Sequence, residues 1–305
     1  MLHRRQLLVS AGIGLGLSPL VRCWAADSQP RKRRVLMFTK SSGFQHSVIK
    51  RDGDKLSHAE RILTELGHAH DFEVTATKDG TVFDSDLGPY DAFFFITTGD
   101  LTKSGTDQQP PMSPEGKNRF LAAVAGGKGF LGSHCAADTF HSRGPGFETQ
   151  TEREPYIAML GGEFIRHGAQ QVAREIIIDP AFPGLAGLGK SFEIKDEWYS
   201  LKNFAPDLHV ILLQDTQGMT GTDYQRPPYP ATWARRHDKG RVFYTSMGHR
   251  EDVWTNPTFQ QIVLGGLAWA TGNVQAEVPP NLQQAAPGAG VMPPLPPPKP
   301  KKKPA

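Results

Sequence analysis

Cysteine is nearly missing: there are two in 305 residues. Cys23 lies in an N-terminal segment that reads as removable, which leaves Cys135 alone in the rest and excludes an internal disulfide there. No Cys-x-x-Cys pair and no His-Glu-x-x-His helix occurs. There is no Walker-type phosphate loop either, because Gly126, Gly127 and Gly129 precede a strand instead of following one. Gly-x-Ser-x-Gly is also absent, which counts against a serine hydrolase built on a strained elbow. Leu7–Leu20, the N-terminal apolar stretch, is short for a membrane span and interrupted by glycines. Strong charge of one sign is missing too. The formal net charge is +3, and Arg31–Arg34 with Lys301, Lys302 and Lys303 place much of the positive charge at the two ends. The body is therefore slightly acidic, which argues against nucleic acid as a main partner.

Hydrophobic content is 38% and charged content 21%, enough for a globular core. At the N-terminus Arg4 and Arg5 precede the apolar stretch, and Cys23-Trp24-Ala25 puts small residues where a signal peptidase cuts. We expect a twin-arginine-type signal over residues 1–25, a linker over 26–32, and a soluble periplasmic or extracytoplasmic product with no stable membrane insertion. From 274 to 305 the chain is dominated by Pro, Gly, Gln and Ala before the lysines, a composition that predicts a disordered tail. The remaining stretch, residues 33–273, suits one large domain.

Within it, Arg33–Thr39, Phe72–Thr77, Tyr90–Ile96 and Phe130–Leu131 read as strands. Helices are predicted over His58–Leu66, over Pro114–Ala125 with Ser113 as cap, and over Pro257–Ala270. Strands alternating with helices predict an α/β fold, a mainly parallel sheet with helices on both faces. Ligands bind such sheets beyond the carboxyl ends of the strands. The chemistry-bearing residues follow that rule. His46 comes after the first strand, His134 soon after the Phe130-Leu131 run, and His249 after Arg241–Met247. Gly132-Ser133 breaks the strand before His134, Cys135, Asp138 and His141, a strand–turn–helix pattern that holds a side chain above a sheet.

His46, His134 and His249, with Asp138 and Glu197, are the candidate catalytic set. Three neutral imidazoles with a carboxylate suit Zn2+ or a similar divalent ion. The same groups can do acid–base work without a metal. The residues alone leave both open. Trp198, Tyr199, Trp233 and Trp254 are candidate stacking surfaces for a sugar ring, and Arg166-His167 a candidate pocket rim. Cys135 is a weaker candidate nucleophile.

Five segments together resemble the trehalose-utilisation (ThuA-like) family: Thr39–His46, Gly129–Phe140, Met159–His167, Lys195–Tyr199, and Tyr229–Trp269 around Gly240–Thr245 and Gly248-His249. The resemblance covers about Arg33 to Gly272. It implies a flavodoxin-like sheet similar to class I glutamine amidotransferases. It also implies a small-molecule carbohydrate partner and processing of sugars, including oxidised (3-keto) disaccharides. In those amidotransferases a cysteine nucleophile occupies the elbow, whereas here His134 and Cys135 share it. The resemblance points to the histidine. A non-catalytic sugar-binding module using the same pocket is the competing class, and a cysteine hydrolase using Cys135 a further one.

Overall fold

Strand β1 (Arg33–Phe38) opens a computed structural model in which residues 31–295 are described. The expected signal segment and the final lysines lie outside them. Val35, Leu36, Met37 and Phe38 are all fully buried, as a strand covered on both faces requires. Helix α1 (His58–Ala69) starts at a capping box, in which Ser57 accepts from the Glu60 amide while Glu60 accepts from the Ser57 amide. Strand β2 (Phe72–Thr77) and strand β3 (Ala92–Phe95) pair on either side of β1, both parallel to it. Helix α2 (Pro114–Ala125) takes Ser113 as cap and Pro114 in its first turn. Strand β4 (Gly129–Ser133) then adds parallel to β3.

The middle of the chain is antiparallel. It comprises helix α3 (Pro155–Leu160), β5 (Glu163–His167), β6 (Gln171–Ile177), β7 (Ser191–Asp196), β8 (Tyr199–Lys202), β9 (His209–Asp215) and β10 (Tyr229–His237). Strand β11 (Gly240–Thr245) returns to run parallel beside β4. Helices α4 (Glu251–Trp254), α5 (Pro257–Ala270) and α6 (Leu282–Ala285) complete the described chain. The main sheet has nine strands in the order β2-β1-β3-β4-β11-β10-β9-β6-β7, and β5 pairs β8 in a small second sheet. The parallel half matches the α/β expectation, and the antiparallel strands extend it. Helix α5 lies close over β11 because Gly266 has no side chain; a Cβ there would stand 2.7 Å from the Phe243 ring. Among the described residues no helix is long and apolar enough to cross a membrane.

Two expectations need correction. Residues 274–295 are packed, not free. Leu282, Ala286 and Ala289 are buried, the Asn281 side chain accepts from the Val210 amide at 2.6 Å, and Arg226 donates to the Ala289 carbonyl at 2.7 Å. Few apolar residues suffice because buried polar partners on β9 and the loop before β10 hold the segment. The helix expected after His134 is a single 3-10 turn, His134–Asp138. His209 is buried between the Asp179 carboxylate and the Pro279 carbonyl.

Candidate metal centre

Strands β1, β4 and β11 run parallel, so their carboxyl ends share one rim of the sheet. His46 follows β1, His134 follows β4 directly, and His249 follows β11. Glu197 comes from another direction, in the two-residue link between β7 and β8. Four ligand atoms, one each from His46, His134, Glu197 and His249, all lie within 4.8 Å of one another. His249 Nδ1 is 3.3 Å from His134 Nε2 and 3.1 Å from Glu197 Oε1, and His134 Nε2 is 3.5 Å from the same oxygen. Ligands on a tetrahedral zinc at its usual bond lengths stand about 3.3 Å apart. His134, Glu197 and His249 stand near that spacing and His46 within 4.8 Å of each, and the donor set fits such an ion in chemistry.

Local backbone geometry sets these positions. His134 has φ +46°, a left-handed conformation that costs a non-glycine residue on the order of 1 kcal/mol and is held only where its surroundings insist. Here Tyr244 donates to the His134 carbonyl at 2.8 Å, and His134 Nδ1 pairs with the Ser246 carbonyl at 2.9 Å. A carbonyl only accepts, so Nδ1 carries the proton and Nε2 turns a lone pair toward the cluster. Gly248 has φ +117°, and a Cβ there would stand 2.5 Å from Ser133 Oγ. Asp196 ties the two halves together: its carboxylate accepts from the Glu197 amide at 2.9 Å and from the Gly248 amide at 2.7 Å.

Electrostatics favour a cation. Burial, with His134 and His249 adding to it, pushes His46 down to about 2, so its ring is neutral at physiological pH. Burial pushes Glu197 up, but the His134 and His249 imidazoles beside it outweigh burial and hold the carboxyl well below the usual range. His46 Nδ1 is buried without a hydrogen-bond partner. Tyr199 covers the cluster, its ring 4.1 Å from that of His134 and its hydroxyl 3.4 Å from His46 Nε2. Burial raises the Tyr199 phenol far above its ordinary value, so it acts as a hydrogen-bond donor and not as a base.

The other sequence candidates fall elsewhere. Asp138 turns to His141, whose Nε2 is 2.9 Å from it, while His141 Nδ1 is 3.2 Å from Glu163. His167 does reach the cluster, with Nδ1 3.3 Å from Glu197 Oε2 and its side chain 43% exposed. Arg166 pairs with Asp223 and donates to the Pro294 carbonyl at 2.8 Å, so its guanidinium is engaged. Trp198, Trp233 and Trp254 are buried with their indole N–H groups satisfied, and they present no face to a ligand. Tyr199 is likewise no open stacking surface. Cys135 is fully buried, and burial pushes its thiol well up, which removes it as a nucleophile. The sequence reading gave no role to Asp196 or Ser246. The Lys195–Tyr199 acidic-aromatic cluster marked the first, and nothing local marked the second.

The ThuA profile, described as trehalose utilisation, matches residues 34–270. The chain belongs to the ThuA family. A ThuA-like protein from Bacteroides uniformis superposes with a TM-score of 0.58 at 17% identity, over 81% of this chain and 95% of that one. Another from Parabacteroides merdae gives 0.55 at 19% identity, over 83% and 94%. At these identities the likeness shows a shared fold. Comparison with curated proteins yields no match.

Proposed function

We propose that this ThuA-family chain is an exported carbohydrate-processing enzyme acting at or beside an oxidised sugar carbon. A divalent ion such as Zn2+ would be held by His46, His134, Glu197 and His249. The observation that carries this reading is the convergence of four donors within 4.8 Å on the rim where such sheets bind ligands. When bound, the ion supplies Lewis acidity toward a sugar carbonyl or a water. The chain's own groups do the rest. His134 is locked in one tautomer by Ser246, and Asp196 orients the Glu197 and Gly248 backbone. The Tyr199 hydroxyl offers a hydrogen bond beside His46. His167 joins Glu197 to solvent and is placed to carry a proton in or out.

A second reading is supported by the same contacts. His134, His249 and Glu197 stand at hydrogen-bonding distances and can move protons without a metal. The test is metal analysis of protein purified without an affinity tag, followed by assays on keto-disaccharides before and after chelation. Stoichiometric zinc and turnover lost on chelation support the metal reading, with His134→Ala abolishing both. Turnover that survives chelation transfers the role to direct acid–base chemistry. Zinc with no turnover on any sugar that binds leaves a binding module.

A further inference from the structure

Five large hydrophobic side chains are exposed among the described residues: Phe44, Leu56, Val172, Val291 and Leu295. Of these, Phe44 packs its ring against the donor cluster. It is 68% exposed, and its centroid lies 5.0 Å from that of His46, edge to face. The His46 ring lies in turn 5.0 Å from His134 and 5.1 Å from His249. An exposed aromatic ring is ordinary on a loose loop, but this loop is pinned. The Ser42 and Gly43 amides donate to the Thr98 carbonyl at 2.8 and 3.1 Å, and Thr98 Oγ1 donates to the Phe44 carbonyl at 2.9 Å. Thr106 Oγ1 donates to the Gly43 carbonyl as well. Hydrogen bonds to Thr98 and Thr106 thus fix the backbone that carries an unburied ring.

Around the cluster the accessible groups are mostly polar: Gln45 and Ser47 lie close to Phe44 in the chain, His167 reaches Glu197 and Arg250 follows His249, while the half-buried Phe164 stacks on His167. A wholly apolar ligand wants a contiguous patch. One aromatic face within a polar rim suits a ligand with an apolar face and hydroxylated edges. A pyranose ring has that character. We infer that Phe44 is the platform on which a pyranose unit stacks while an adjacent carbon faces the His46–His134–Glu197–His249 cluster. This deepens the carbohydrate reading above and rests on it.

The test compares zinc-loaded wild type with Phe44→Ala and Phe44→Trp. Binding of trehalose and of methyl α-D-glucopyranoside is followed by saturation-transfer NMR and titration, alongside zinc content and melting temperature. We expect Phe44→Ala to weaken sugar binding about tenfold. Phe44→Trp should retain it, with zinc content and melting temperature unchanged in both. Sugar bound equally well by Phe44→Ala overturns the platform and leaves the carbohydrate reading standing. Zinc lost from Phe44→Ala overturns it too, since the ring would then serve His46. If wild type keeps its zinc and binds neither sugar, the carbohydrate reading falls and the platform with it.

Discussion

Two histidine–carboxylate clusters lie at the two ends of one 3-10 turn, and they are built on opposite ratios. His134 begins the turn and joins His46 and His249 around one carboxylate, Glu197. Asp138 ends it and shares one imidazole, His141, with Glu163. The second cluster is complete. Hydrogen bonds donated to Asp138 and then to Glu163 outweigh burial and raise His141 to about 9, so an imidazolium sits between two anions. Glu163 also accepts from Ser142 Oγ at 2.7 Å and from the Asn203 amide at 2.6 Å. The first cluster is incomplete: three imidazoles, one of them with a buried nitrogen that has no partner, face a single anion. Burying polar groups without partners is costly, and a cation is what such a donor set lacks. A histidine next to a carboxylate is thus a ligand at one end of the turn and a structural clamp at the other, and the partner count decides which.

The sharpest way to break this comparison is the same conservative change on each side. Glu197→Gln removes the anion from the incomplete cluster and should weaken zinc binding by roughly a thousandfold, as loss of a direct ligand does. Asp138→Asn, at the other end of the turn from His134, should leave zinc affinity unchanged. Competition with a chromogenic chelator reads both. Equal losses would mean that the two clusters are a single site, and no loss in either would remove the metal.

Much of the incomplete cluster was legible in the sequence. His46, His134 and His249 each follow a strand of the parallel half, where topology alone brings them to one rim. Glu197 was legible as a chemical group, although the antiparallel path that delivers it was not. Asp138 was misplaced because the left-handed His134 and the 3-10 turn aim it toward His141, and periodicity reads neither. Trp198 and Trp254 were misassigned because an indole reads the same in a core as in a cleft; here their N–H groups are satisfied by the Gln171 and Gly248 carbonyls. Phe44 drew no notice because exposure is a tertiary property. Residues 274–295 looked disordered by composition, and their order comes from partners such as Arg226, distant in sequence.

A smaller effect sharpens the clamp. Burial raises the Glu163 carboxyl, but hydrogen bonds from His141, Ser142 and Asn203 outweigh it and lower it. Glu163→Gln keeps the shape and loses the charge, which leaves His141 and Lys202 short of an anion. We expect destabilisation of about 1–3 kcal/mol in denaturant unfolding, with zinc stoichiometry intact. Zinc lost along with stability would show that the clamp also sets the ligand geometry, and the contrast between the clusters would weaken.

The smallest effect is a pH dependence belonging to the clamp alone. His141 titrates near 6.5 when unfolded and near 9 when folded, so the folded state binds its proton more tightly. The stabilisation is therefore fully present below about pH 6.5 and is lost as pH rises through 9. The ring is 44% exposed, and solvent screens both pairs, so the contribution is on the order of 1 kcal/mol or less. His141→Gln should be less stable than wild type at pH 6 by that amount, and the gap should close by pH 10. Thermal unfolding of the two proteins across that range, in chelator to keep metal out of the balance, measures the gap directly. A gap that stays constant with pH would mean that His141 contributes packing and hydrogen bonds but no charge, and the clamp would then not be the ion triad that its geometry describes.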